Sequence, residues 1–107
     1  MISIKFAPTA FRLDITGHAE HGKKGEDIVC AAVSALFYTL AQTLYESRNM
    51  MEEDIVMSDE DGNGHIECRP KADYEANISL IYWTILTGFQ LLADNYKKNI
   101  SLSVEGL

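Results

Sequence analysis

The stretch GHAEHGKKGEDIVCAAVSAL, residues 17 to 36, carries most of the residues that could do chemistry. It holds His18, His21, Asp27, Cys30 and Ser34 around a loop containing Gly22 and Gly25. Three chemistries fit these types. Two histidines three apart, with Cys30 and the distant Cys68, could complete a tetrahedral zinc site, although structural zinc ligands usually come in tight pairs on both sides. Cys30 could be a small core residue. Or Cys30 could be a nucleophile with a histidine as its base.

Position along the chain separates the candidates. Cys30 falls in the first turn of an expected helix, where unpaired N–H groups and the helix dipole favour a thiolate. The same N–H groups could receive the oxyanion of a tetrahedral intermediate. His18 closes an expected strand and His21 sits inside the loop, so His18 is the better-held base. Asp27, Cys30 and Ser34 share one helical face. Asp27 has two open readings, as helix N-cap or as a group orienting His18. Ser34 either supports the site or bonds back to a carbonyl one turn earlier. The loop with Gly22 and Gly25 is expected to gate access.

Elsewhere, Cys68 shares an apolar strand face with Ile66 and is expected in the core, and His65 is expected to be exposed. Asp59, Asp61, Asn63 and Gly64 open like a calcium-binding loop, but its twelfth position, which should be a bidentate Glu, is Pro70. No metal or cofactor is expected.

The elements that must hold these residues follow from periodicity. Ile2, Ile4 and Phe6 alternate in ISIKF, and after PTA so do Phe11, Leu13 and Ile15, giving a hairpin with one wet face. From Asp27 to Ser47 apolar residues recur at Ile28, Ala32, Leu36, Leu40 and Leu44, beside Val29, Val33 and Phe37. A helix so apolar around its girth lies at a domain's centre or against a partner subunit. Residues 54 to 57 and 64 to 69 read as strands around DEDGNG. A second helix runs from Lys71 to Lys97 behind Pro70, with lysines at its end suiting the dipole. Ile100, Leu102 and Val104 form a last strand. The order β-β-α-β-β-α-β predicts an α+β domain, with two helices on one face of a mainly antiparallel sheet.

A chain of 107 residues is one domain, residues 1–107, able to bury roughly 65% of its unfolded surface. Two cysteines and no apolar leader indicate a reducing, cytoplasmic setting. The apolar windows 28 to 44 and 78 to 93 are interrupted by Ser, Thr, Gln and Tyr, so no membrane segment is expected. Nine Lys and Arg against sixteen Asp and Glu give a net charge of −7, which disfavours nucleic acid and favours a basic partner.

The G-H-A triplet at 17–19, the glycine-containing loop, and D-I-V-C-A at 27–31 followed by Ser34 closely resemble the signature of the ribosomal-processing cysteine proteases, the Prp family. The twelve-residue separation of His18 and Cys30 is that family's spacing. The resemblance implies an endopeptidase that removes an N-terminal extension from a large-subunit ribosomal protein precursor. It implies Cys30 as nucleophile, His18 as base, Asp27 and Ser34 as supports, and a homodimer. The alternatives are phage-type processing of a capsid or scaffold protein, and a noncatalytic ribosome-associated binding module.

Overall fold

The protein is described by a computed structural model covering residues 1–17 and 27–106. Five strands form one sheet in the order β3-β4-β2-β1-β5. They are β1 (Ile2–Ala7), β2 (Arg12–Thr16), β3 (Val56–Glu60), β4 (Asn63–Glu67) and β5 (Ile100–Val104). Helix α1 (Ile28–Glu46) follows β2, and α2 (Glu75–Asn95) connects β4 to β5. The expected order β-β-α-β-β-α-β is the order found. All pairings are antiparallel except β1 with β5, since the α2 crossover returns the chain in the same direction.

Alternation makes the sheet two-faced. Ile2, Ile4, Phe6, Leu13, Ile15, Ile66 and Ile100 are buried beneath the helices, while the residues between them form the wet face. From above, Val29, Val33, Phe37, Leu40 and Leu44 of α1 and Ile78, Tyr82, Ile85, Leu86 and Phe89 of α2 close the core. Both helices are long and apolar enough to cross a membrane by length and composition. The Ser, Thr, Gln and Tyr interruptions therefore do not exclude a span as expected, but each helix turns its main apolar stripe onto the sheet.

Three local readings are sharpened. DEDGNG is mostly strand, and only Asp61 (φ 51°) and Gly62 (φ 79°) turn. Two positive φ values in succession make the two-residue hairpin that Asp-Gly favours, and the polar residues before it are polar because β3 is an edge strand. The second helix is shorter than Lys71 to Lys97: a 3-10 turn at Ala72–Tyr74 precedes it and it ends at Asn95. Asn95 Nδ2 donates to the Leu91 carbonyl at 2.7 Å, and both lysines, Lys97 and Lys98, lie beyond the helix end. Between β1 and β2, Phe11 takes a left-handed conformation (φ 49°). Its carbonyl accepts Tyr82 Oη–H at 2.6 Å and the Cys68 N–H at 3.3 Å, which anchors an otherwise disfavoured backbone.

Candidate active site

Cys30 sits in the first turn of α1 because Asp27 starts the helix there. Asp27 is extended (φ −75°, ψ 108°), and its Oδ1 accepts the N–H of Val29 at 2.9 Å and of Cys30 at 3.1 Å. The N-cap reading of Asp27 is thus realised, with the side chain buried. Cys30 is half-buried, resting against the core yet reachable. Ala31 N–H continues the ladder to the Asp27 carbonyl at 3.1 Å.

This cap corrects the oxyanion expectation. The N–H groups of Val29 and Cys30 are spent on a carboxylate, so they are not open donors. Ile28 N–H is the first-turn donor with no hydrogen bond among the described residues. A carboxylate takes them because a buried helix start must satisfy its donors, and the dipole rewards a negative charge there.

Ser34 lies one turn beyond Cys30 on the same face and is exposed. Among the described residues it makes no bond back to a carbonyl, whereas Thr39 and Thr43 do so at 2.6 and 2.7 Å. Ser34 instead lines a cleft with Ile15, Val33, Phe37, Tyr38 and Asp59. His18, His21, Gly22 and Gly25 lie outside the described residues.

What leads up to His18 is defined. β2 ends at Thr16, and Gly17 turns the chain out of the sheet at φ 92°. A Cβ on Gly17 would stand 2.4 Å from the Met1 carbonyl oxygen, so both conformation and space demand glycine. The G-H-A triplet carried this signal, but sequence reasoning attached it only to the histidine. Asp59, weighed in the sequence as the start of a calcium-like loop, lines the cleft beside Ser34.

The remaining candidates resolve away from this helix end. Cys68 is 3% exposed in the core, with Sγ 3.6 Å from Tyr82 Oη, as expected. Burial pushes its thiol pKa up, and burial likewise raises the Tyr82 phenol. His65 is not the free surface residue expected. It is part-buried on the wet face, where Nδ1–H donates to Asp14 Oδ1 at 2.6 Å and Nε2 lies 3.5 Å from Glu67 Oε1. The register explains this, since Asp14 and His65 are directly paired across β2 and β4. Asp59, Asp61 and Asn63 lie in a hairpin that spreads them along two strands, which is no calcium loop.

A part-buried thiol at a capped helix start, set over a two-helix, five-stranded α+β layer, is an arrangement that suits a cysteine nucleophile. Residues 1–101 match the family model described as cysteine protease Prp, and the chain belongs to that family of cysteine proteases. A ribosomal processing cysteine protease Prp of Staphylococcus aureus (strain Mu50) is 31% identical over 87 residues, which span 81% of this chain and 79% of that one. The fold superposes on the crystal structure of an essential ribosomal processing protease Prp from S. aureus with a covalently linked product peptide. That match has a TM-score of 0.81 and 26% identity, and covers 98% of this chain and 100% of the other. A crystal structure of S. aureus Prp with a substrate peptide matches over the same shares with a TM-score of 0.72 and 26% identity.

Proposed function

We propose that the protein removes an N-terminal extension from a large-subunit ribosomal protein precursor, with Cys30 as nucleophile and His18 as base. The observation that carries this is Cys30 in the capped first turn of α1 within a Prp-family chain. His18 takes the Cys30 proton, Sγ bonds to the peptide carbonyl carbon, and the oxyanion faces the helix start, where Ile28 N–H is available. The C–N bond then breaks as His18 returns the proton to the leaving amine. Water, deprotonated by His18, releases the thioester-bound fragment and restores the thiol. The relative crystallised with a covalently linked product peptide supports a covalent route. Asp27 caps α1 and also orients His18, Ser34 contacts the bound chain, and the loop holding Gly22 and Gly25 gates entry.

A basic precursor suits a net charge of −7. The enzyme acts in the cytoplasm as a homodimer. Exposed Ile28 on α1 and Leu80 and Leu91 on α2 offer apolar surface for contacts with other chains. Thiol labelling tests the dyad. Cys30 should be alkylated by iodoacetamide near neutral pH, and more slowly after His18→Ala, with Cys68 unlabelled until unfolding. Equal labelling rates with and without His18 would remove His18 as the base.

A further inference from the structure

The face of α1 that carries Cys30 does not stop at Ser34. Ser34, Tyr38, Ala41, Gln42 and Tyr45 continue it at helical spacing. They form one wall of a trench whose other wall is the edge strand β3 with its approach. The near part is lined by Ser34, Tyr38 and Asp59, and the far part by Tyr38, Ala41, Gln42, Tyr45, Ile55 and Met57. Tyr38 lines both, so the two parts adjoin along α1. Met57 and Asp59 face α1 because they pair with Ile66 and Gly64 on the core side of β4. At 1.5 Å per helical residue, Cys30 to Tyr45 spans about 22 Å, the length of about six or seven extended residues.

The two parts differ in chemistry. At the near end the Asp59 carboxylate makes no hydrogen bond or ion pair among the described residues, and it stands over the apolar walls of Val33, Phe37 and Tyr38. That pairing of an apolar wall with one carboxylate fits a side chain with a long stem and a cationic tip. The far end, between Tyr45 and Met57, is apolar and open, with both side chains exposed.

We propose that this trench holds the extended substrate chain on one side of the scissile bond, selecting a Lys or Arg side chain at Asp59 and an apolar side chain at Tyr45 and Met57. The proposal rests on the protease reading and adds what that protease selects. Continuity with the Cys30 face favours a substrate chain over a second copy of the protein. So does charge complementarity, because a lone carboxylate is poorly placed at the centre of an apolar dimer contact.

The test measures kcat/KM on precursor peptides in which each basic residue near the cut is replaced in turn by norleucine, which keeps the stem and removes the charge. For the wild type, one such replacement should lower kcat/KM about fivefold, the size expected of one solvent-accessible ion pair. That penalty should vanish in Asp59→Asn, and Asp59→Lys should favour Glu at the same position. Met57→Glu should raise KM for peptides with an apolar residue at the far end. The proposal is overturned if the wild type cuts every peptide and the norleucine penalties are the same in Asp59→Asn. It is also overturned if Met57→Glu changes the oligomer mass on size exclusion with KM unaltered, which would give the trench to a second copy. If the wild type does not cut the precursor at all, the protease reading fails and this proposal with it.

Discussion

The carboxylate of Asp27 accepts the N–H of Cys30 at 3.1 Å while also accepting the N–H of Val29. One side chain therefore fixes where the helix begins and how the thiol-bearing residue is presented. The cap and the proposed orientation of His18 are separable by substitution. Asp27→Asn keeps a good cap, whereas Asp27→Ala should cost about 1 kcal/mol of stability. If Asp27 also orients His18, Asn should preserve the melting temperature and still lose at least about tenfold in kcat/KM, since held imidazole geometry contributes heavily to proton transfer. Full activity in Asp27→Asn would leave the residue as a cap alone.

Gly17 is expected to be as demanding as the signature residues beside it. Gly17→Ala places a methyl against the Met1 carbonyl and forces an L-residue to φ 92°. The left-handed backbone alone costs about 1–2 kcal/mol, and the close approach adds to it. Thermal unfolding should show a fall in midpoint of about 5 °C or more, given how a domain of this size converts stability into melting temperature.

Alkaline pH should destabilise the fold, and the sign follows from the core. The Cys68 thiol and Tyr82 phenol have raised pKa values when folded, so the native state keeps both neutral. Once unfolded they ionise near their ordinary values, about 8.5 and 10. The unfolded state then binds fewer protons, and stability falls as pH rises through that range. Urea titrations should show a declining midpoint above about pH 8.5. Tyr82→Phe should lose about 1 kcal/mol at neutral pH with the bond to Phe11, yet lose less above pH 10 than the wild type. Parallel decline in the two proteins would contradict the assignment.

The wet face offers an independent check. His65 and Asp14 are cross-strand neighbours joined at 2.6 Å, on a sheet face shared with Arg12 and Glu67. His65→Ala should cost no more than about 1 kcal/mol, as expected of a solvent-accessible pair, and should leave peptide cleavage unchanged. A large loss of activity would bring this face into the reaction.

Much of the architecture was legible because strand alternation and helical spacing report burial directly. Ile2, Ile4 and Phe6 and the Val29-to-Leu44 stripe point inward as their spacing demands. What was not legible depends on pairing. His65 looked exposed until the register set it opposite Asp14. Asp59 looked like turn residue until the hairpin narrowed to Asp61 and Gly62, leaving Asp59 on an edge strand facing α1. The last turn of α2 misled because Lys97 and Lys98 resemble a basic helix end, yet the helix stops at Asn95, before either lysine. At the site, spacing placed Cys30 at the helix start. The N-cap reading of Asp27 names the N–H groups two and three residues on, which are the groups also assigned to an oxyanion, and the structure decides between the two uses.

The central claim is tested most directly by incubating the protein with the extended ribosomal protein precursor and sequencing the N-terminus of the product. Wild-type protein should yield one new N-terminus at a single internal bond, and Cys30→Ala should leave the precursor intact. Trimming by Cys30→Ala at the wild-type rate, or an untouched precursor in both reactions, would contradict the account.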